Sequence, residues 1–234
     1  MTATLLLIAL NEIDGMKHII PHIDRSLFDQ IIVVDGGSTD GTQEWARQNN
    51  LEVHVQSRPG IRFAYFEVLE KITSDIIVTF SPDGNCIPEH LPELMEKMNE
   101  GYDMVIVSRY LGDAKSEDDD LITAFGNWLF TRTINVLHGG HYTDAMNMYR
   151  GYKTSLISDL DLDKEESYAL PERLFNTIIS WEPLMAVRAA KRNLKLGEIS
   201  GNEPARIGGV RKLQILRWGA AYYFQFWREL FWWR

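Results

Sequence analysis

Short apolar runs typical of strands alternate with helix-like segments along the first half of the chain. The helix-like segments include Thr42 to Gln48 and Phe63 to Ile72. Alternation of this kind is typical of a mostly parallel sheet, whose strands are joined by right-handed crossover helices on both faces. The sequence therefore predicts an α/β fold. The strand-like runs are Thr4 to Leu10, Ile31 to Val34, Leu51 to Val55, Ile76 to Phe80 and Met104 to Val107.

Length and composition favour one large domain without a nucleic-acid partner. The 234 residues are 45% hydrophobic, which is enough for the core of such a domain. The formal net charge of −9 argues against nucleic-acid binding, which needs a basic surface. The single cysteine, Cys86, and a first strand without a basic leader favour a reducing cytoplasm. No run of about eighteen uncharged apolar residues occurs, so only association with a membrane surface stays open.

The stretch Ile31 to Thr42, IIVVDGGSTDGT, joins a buried strand to a turn rich in glycine and hydroxyl residues. Ligands of open α/β sheets bind beyond the carboxyl ends of the strands, where Asp35 would lie. Gly36 permits close approach of the backbone to a ligand, and Asp40 can cap the following helix. These features predict a nucleotide pocket. Taken alone, the turn is explained about equally well by an ordinary helix cap.

A second carboxylate follows the run Ile76 to Phe80, in the sequence Ser81-Pro82-Asp83-Gly84-Asn85. Asp83 would therefore lie at the same edge of the sheet as Asp35. A departing nucleoside diphosphate carries charge that Mg²⁺ or Mn²⁺ can neutralise, and such ions prefer oxygen ligands. Asp83 and Asn85 are the predicted metal ligands. The alternative is a turn in which Asp83 caps the next helix.

These residues resemble the family 2 glycosyltransferases with a GT-A fold, which is Rossmann-like, and in particular the dolichol-phosphate mannose synthase-like and polyprenyl-phosphate glycosyltransferase branch. Asn11 and Glu12 look like the family's Asn-Glu at the base pocket. VVDGGSTDGT is similar to the family's VVDDGSTDGT, with Gly36 in place of the second aspartate. Ser81 replaces the first aspartate of the family's Asp-x-Asp metal motif. The resemblance implies that a GDP- or UDP-linked sugar is bound by Asn11, Glu12, Asp35, Gly36 and Asp83.

The resemblance continues on the acceptor side, in the second half of the chain. Ser108-Arg109-Tyr110 resembles the family's Gly-Ser-Arg-Tyr/Phe segment, and Gly126-Asn127 resembles its Gly-Asn. Asp144, followed by Met148-Tyr149-Arg150, resembles the family's aspartate and Gly-Phe-Arg element. The resemblance implies an acceptor site formed by Arg109, Asn127, Asp144 and Arg150, with Asp144 and Asp83 as the catalytic residues. Asp144 would take the proton of an acceptor hydroxyl, or would orient an acceptor that is already an anion, such as a lipid phosphate.

Two charged segments lie near this predicted site. Glu203 to Lys212 places three cations around a paired glycine and resembles the family's Arg-x-x-Gly-x-Ser-Lys loop. Because the planar fork of arginine suits phosphate oxygens, we expect Arg206 and Lys212 to bind the donor phosphates. A solvated basic loop is the alternative. The acidic run Ser116 to Asp120 is expected to be a solvated loop on the acceptor side.

Aromatic residues crowd the C-terminal segment from about Lys212 onward. Tryptophan and tyrosine favour membrane interfaces, and arginine favours anionic head groups. Docking on a membrane surface and packing against the domain or another subunit are therefore equally open. The predicted organisation is a GT-A domain over residues 1–211, with a nucleotide-sugar half at 1–110 and an acceptor half at 111–211, followed by an aromatic amphiphilic helix over 212–234.

The predicted function is inverting, metal-assisted transfer of a sugar from a nucleoside-diphosphate sugar to a lipid (polyprenyl) phosphate or a glycan hydroxyl. The expected location is the cytoplasm, at a membrane face if the C-terminal helix docks there. A non-catalytic protein of the same fold, which binds a nucleotide sugar or a partner, is one alternative, since Gly36 and Ser81 each replace an acid. A sugar-1-phosphate nucleotidyltransferase is less favoured, because Leu10 to Gly15 lacks a glycine-rich basic loop.

Overall fold

The described residues form one sheet of seven strands. The computed structural model describes residues 1–207 and 215–233. The strands are β1 (Ala3–Ala9), β2 (Gln30–Asp35), β3 (Glu52–Val55), β4 (Ile76–Phe80), β5 (Met104–Ser108), β6 (Arg150–Lys153) and β7 (Leu196–Ser200). Their order across the sheet is β3-β2-β1-β4-β6-β5-β7. β6 runs antiparallel to both of its neighbours, and the other pairs are parallel.

Helices cover both faces of this sheet, because alternate residues of the central strands are apolar on each side. Leu6, Ile32 and Ile77 face one core, while Leu5, Val33 and Val78 face the other. The helices are α1 (Ile13–Ile19), α2 (Thr42–Gln48), α3 (Ile61–Val68), α4 (Leu91–Asn99), α5 (Leu121–His138), α6 (Leu156–Asp159), α7 (Glu166–Phe175), α8 (Glu182–Lys191) and α9 (Ile215–Arg228). The first core contains residues of α3, α5, α6, α7, α8 and α9, and the second contains residues of α1, α2 and α4.

The predicted α/β architecture, a mostly parallel sheet flanked by helices, is confirmed. The predicted strands differ from β1 to β5 by at most one residue at either end. The sequence did not predict β6 or β7, and the segment that leads to Asp144 is irregular. β6 is only four residues long and contains two cations. It is stabilised as a strand by hydrogen bonding to β4 on one side and β5 on the other, which is a tertiary effect.

The C-terminal helix α9 packs into the core that contains α8. The side chains of Tyr222, Phe226 and Trp233 are buried there. Glu229, just after α9, forms a fully buried ion pair with Arg188 of α8, with Oε2 and Nε 2.9 Å apart. One side of the aromatic helix therefore packs on the domain itself, as one of the sequence hypotheses proposed. The predicted start of this helix, near Lys212, lies outside the described residues.

Within the described residues, no helix combines the length and the apolarity needed to cross a bilayer.

Candidate active site

Four hydrogen-bond donors surround the carboxylate of Asp35 at the end of β2. The backbone N–H groups of Gly37 and Ser38 donate to Oδ1 at 2.9 and 2.7 Å, and the amide of Gln43 donates to the same oxygen at 2.7 Å. The hydroxyl of Ser38 donates to Oδ2 at 2.6 Å. The side chain is fully buried. Asp35 therefore fixes the shape of the turn, and its direct contact with a nucleotide stays a prediction.

The turn after β1 is tied to the turn after β2. The backbone N–H of Thr39 donates to Asn11 Oδ1 at 2.8 Å, and the N–H of Asn11 donates to Ser38 Oγ at 2.7 Å. The N–H of Glu12 donates to Thr42 Oγ1 at 3.0 Å, and the Glu12 side chain is buried. The predicted donor residues Asn11 and Glu12 thus lie against the β2 turn.

Close packing brings the turn after β4 to the same edge. A Cβ atom at Gly15 would lie 2.0 Å from the carbonyl oxygen of Pro82, so α1 begins directly on the Ser81 to Asp83 turn. A Cβ atom at Gly36 would lie 3.3 Å from the side chain of Leu10. An aspartate at position 36, as in the resembled motif, would therefore crowd Leu10. The structure brings Asn11, Glu12, Asp35, Gly36 and Asp83 together at the carboxyl edge of β1, β2 and β4.

Asp83 forms an ion pair with Arg206. Nη1 of Arg206 lies 2.7 Å from Asp83 Oδ2, and Nε lies 3.4 Å from Asp118 Oδ2. The backbone N–H of Ile207 donates to the carbonyl oxygen of Asp83 at 2.9 Å. The predicted metal ligand and the predicted phosphate ligand are therefore in direct contact. Lys212, the other predicted phosphate ligand, lies outside the described residues.

Two oxygen donors at this turn suit a hard divalent cation. The N–H of Asn85 donates to Asp83 Oδ1 at 3.1 Å, and the side-chain oxygen of Asn85 is buried without a hydrogen-bond partner among the described residues. The same residues contain no cluster of three or more His, Cys, Asp or Glu that could hold a metal. Mg²⁺ is commonly held by one or two carboxylates together with substrate phosphates. The residues therefore fit a cation that binds with a diphosphate, and they do not form a complete protein cage.

A second cluster is centred on Asp144. The guanidinium of Arg109 donates from Nε to Oδ2 at 2.6 Å and from Nη2 to Oδ1 at 3.1 Å. The amide of Asn127, on α5, donates to Oδ1 at 3.0 Å. Three of the four predicted acceptor residues are thus in contact with one another.

These donors keep the Asp144 carboxyl ionised. Burial by itself would raise its pKa, but the charge of Arg109 and the hydrogen bonds from Arg109 and Asn127 outweigh burial, so the pKa of Asp144 is below its ordinary value. The side chain is fully buried, and both of its oxygens are occupied. A carboxylate whose pKa is lowered in this way is a weak base. Its geometry instead orients Arg109.

Arg150 lies in the core, away from the surface of the site. Its guanidinium donates to the backbone carbonyls of Asn147, Ala145 and Glu182 at 2.7, 3.1 and 3.1 Å, and the side chain is fully buried. The predicted contact with an acceptor is therefore not formed by this geometry. We assign Arg150 the structural role of holding the segment that follows Asp144.

Carboxylates that the sequence analysis did not assign surround both arginines. Asp118 contacts Arg206, whereas Asp119 and Glu203 contact Arg109, with closest approaches of 3.8 and 3.2 Å. The hydroxyl of Tyr110 also donates to Asp119. The expectation that the acidic run is solvated was therefore wrong for Asp118 and Asp119, which turn inward to the arginines, while Glu117 and Asp120 are exposed.

Part of this arrangement is visible in the sequence. Asp120 and Thr123 form a capping box, a spacing that marks the start of α5 and places the preceding acids in the turn before it. Glu203 stands out as an acid within a basic segment. Glu198 gives no such signal. Its carboxylate accepts from the backbone N–H groups of Thr143 and Asp144 at 2.9 and 3.0 Å, a contact that only the folded chain creates.

The family model described as Glycosyl transferase family 2 matches residues 4–161, which is more than half of the chain. The chain belongs to glycosyl transferase family 2. This family 2 protein is 29% identical over 206 residues to an undecaprenyl-phosphate mannosyltransferase of Micrococcus luteus, covering 82% of each chain. It is 28% identical over 213 residues to a dolichyl-phosphate hexose transferase of Haloferax volcanii, covering 90% of this chain and 86% of that one.

A solved structure supports the same assignment of the fold. The family 2 protein superimposes on glucosyl-3-phosphoglycerate synthase from Mycobacterium tuberculosis, crystallised with Mn²⁺, uridine diphosphate and phosphoglyceric acid, with a TM-score of 0.64 at 20% identity. The match covers 98% of this chain and 78% of that chain. The predicted GT-A fold and the predicted glycosyltransferase activity are confirmed.

Proposed function

We propose that this glycosyltransferase moves a sugar, with inversion, from a nucleoside-diphosphate sugar to a polyprenyl-type lipid phosphate. One observation carries the choice of acceptor. The Asp144 carboxylate is buried, ionised and fully hydrogen-bonded, so it is poorly placed to remove a proton from a hydroxyl. A phosphate acceptor is already an anion and needs no base. The names of the Micrococcus and Haloferax relatives support the same acceptor class.

The donor would bind at the edge formed by the turns after β1, β2 and β4. Asn11, Glu12 and the turn shaped by Asp35 would hold the base and ribose, and the diphosphate would lie near Asp83. A UDP- or GDP-linked sugar fits this assignment. Asp83 and Asn85 would hold Mg²⁺ or Mn²⁺, which would neutralise charge on the departing diphosphate. Arg206 would contribute a second cation to the phosphates.

The acceptor phosphate would be positioned by Arg109, whose orientation is set by Asp144. An oxygen of that phosphate attacks the anomeric carbon, and the bond from this carbon to the diphosphate oxygen breaks. Its electron pair leaves with the nucleoside diphosphate, and no proton is released from the acceptor. Attack from the face opposite to the leaving group inverts the anomeric configuration. Stabilisation of the charge on the departing diphosphate by the metal ion and Arg206 would supply much of the rate enhancement.

The proposal is tested by offering the purified protein radiolabelled UDP- and GDP-sugars with Mn²⁺ or Mg²⁺. The acceptors are undecaprenyl phosphate and, as the matched control, undecaprenol, which lacks the phosphate. We expect label in the lipid phase with the phosphate alone, and NMR of the product should show the inverted anomer. Transfer to undecaprenol or to a glycan hydroxyl would contradict the proposed acceptor. A protein that binds donor but neither transfers nor hydrolyses it would support the non-catalytic alternative.

We also propose that the enzyme docks peripherally on the cytoplasmic face of a membrane. The α5 outer face, formed by Leu121, Ile122, Phe125 and Trp128, is apolar, and the side chains are between 60% and 91% exposed. The rings of Phe125 and Trp128 stack with centroids 5.7 Å apart. Although the protein is acidic overall, α5 contains no Asp or Glu. Apolar and aromatic side chains without acids suit the interface of an anionic bilayer.

Helix α9 carries a further exposed aromatic side chain. Trp227 is exposed, and its ring contacts Tyr223, which in turn contacts Phe130 of α5. The two aromatic helices thus pack against each other through Phe130 and Tyr223. The two sequence hypotheses for the C-terminal helix, membrane docking and packing on the domain, are therefore compatible. One side of α9 packs on the domain, while exposed aromatic residues remain on another side.

Replacing Phe125 and Trp128 together by serine should weaken binding to vesicles that contain phosphatidylglycerol. Because burial of a large apolar side chain contributes roughly 1.5–3 kcal/mol, we expect a loss of about tenfold or more. Vesicle flotation measures the bound fraction. The matched control is Val55→Ser, which removes an exposed apolar side chain at the far edge strand β3. Unchanged flotation with a changed oligomeric state would instead identify a subunit contact.

A further inference from the structure

Arg206 occupies the position on Asp83 that the proposed cation would need. Its Nη1 lies 2.7 Å from Oδ2 of Asp83, while the other carboxylate oxygen accepts from the N–H of Asn85. Nε of Arg206 is 3.4 Å from Asp118. Two carboxylates therefore contact one guanidinium.

The segment that carries Arg206, residues 201–207, is anchored at one end. The N–H of Glu203 donates to the carbonyl of Lys115 at 2.9 Å, and the carbonyl of Glu203 accepts from the N–H of Glu117 at 2.8 Å. Its carboxylate accepts from Arg109. These bonds fix the first part of the segment to the loop that contains Lys115 and Glu117. The residues after Glu203 can therefore move relative to this fixed position.

The other end of this segment lies over the Asp83 turn. Gly84 has a φ of +101°, and a Cβ atom there would lie 2.8 Å from the backbone nitrogen of Ile207. Glycine at position 84 therefore permits the close approach that brings Arg206 to Asp83. The Arg206 side chain is still 27% exposed, so water can reach its charge while Asp83 stays buried.

We propose that Arg206 and a divalent cation alternate on Asp83, and that the donor diphosphate drives the exchange. This inference rests on the proposed metal-assisted binding of a nucleotide sugar. A cation that binds alone must displace Arg206 from one of its two carboxylates. A diphosphate offers the displaced guanidinium a new anion, because the arginine fork pairs well with phosphate oxygens. Cation and nucleotide therefore bind cooperatively, and Arg206 couples them.

The exchange predicts that Arg206→Gln binds Mn²⁺ more tightly than the wild-type protein when no nucleotide is present. We expect about a tenfold gain, within the usual range of coupling between ligands. Electron paramagnetic resonance of free aqueous Mn²⁺ measures this binding directly. Lys71→Gln is the matched control, since Lys71 forms an exposed ion pair with Glu52 away from the site, and it should bind Mn²⁺ as the wild type does.

Trypsin reports on the displacement itself, because it cuts after arginine. In the wild-type protein, Mn²⁺ alone should speed cleavage between Arg206 and Ile207 several-fold, and addition of UDP or GDP should reverse the effect. Mass spectrometry of the fragments identifies this bond. Wild-type Mn²⁺ affinity in Arg206→Gln, or a cleavage rate that Mn²⁺ leaves unchanged, would overturn the exchange. Neither measurement depends on sugar transfer, so a failed transfer assay and a failed exchange are distinguishable.

Discussion

Asp83→Asn should lower the rate of sugar transfer by on the order of 10³-fold while the protein keeps its fold. The amide keeps the shape of the carboxylate but removes the charge that the proposed cation needs. The fold should survive, because Arg206 retains Asp118 as a partner and is itself partly exposed. Steady-state transfer to undecaprenyl phosphate measures the rate, and circular dichroism checks the fold.

The control for this variant is Asp159→Asn, which removes an exposed carboxylate on α6 and should transfer at the wild-type rate. Binding of Mn²⁺ provides a second measurement, which should be weakened by Asp83→Asn and unaffected by Asp159→Asn. Transfer by Asp83→Asn within about threefold of wild type would contradict a reaction that relies on charge at this turn.

Glu229→Gln should cost about 3–5 kcal/mol of unfolding free energy, because it leaves the charge of Arg188 buried without its partner. Both side chains of this pair are fully buried, with Nε and Oε2 2.9 Å apart. Typical domains have only about 5–15 kcal/mol of stability, so this loss is a large share of the total. Urea unfolding of the wild type and the variant measures the difference.

Glu165→Gln is the matched control, since Glu165 pairs with Arg58 at 3.1 Å in an exposed position. Its cost should be below about 1 kcal/mol, as is usual for surface ion pairs. Equal costs for the two variants would show that the ion pair between Arg188 and Glu229 adds little stability.

The burial of this ion pair also makes a truncated chain unsuitable for testing membrane docking. A chain shortened to end at Leu216 would lack most of α9 as well as Glu229 and would expose the core that they cover, so point variants are the better test of membrane docking.

The convergence of the turns that follow β2 and β4 could be predicted from the sequence because the signal of each turn is local. Asp35 comes at the end of one apolar strand. Asp83 follows another apolar strand, in the Ser81 to Asp83 turn. Parallel strands then place both turns at one edge of the sheet. Asp144, Arg109 and Asn127 were identified by their resemblance to the family's motifs, and the structure places Arg109 and Asn127 in contact with Asp144.

The remaining contacts depend on tertiary structure and could not be derived locally. Arg150 matches a motif position, yet the antiparallel placement of β6 between β4 and β5 puts its guanidinium among core carbonyls. The pairing of Arg206 with Asp83 joins residues far apart in the chain. A run of acids is usually solvated, so the inward contacts of Asp118 and Asp119 required knowledge of where the two arginines lie.

Two adjacent residues of α5, Asn127 and Trp128, face different environments: the site around Asp144 and the outer surface of the protein. Asn127 faces inward and donates to Asp144, while Trp128 is 60% exposed on the outer face. A helix with its side chains is about 10–12 Å across. If the outer face rests on a bilayer, only the thickness of this one helix separates the lipid head groups from Arg109 and Asp144. The lipid phosphate could then receive the sugar with its chain still in the membrane.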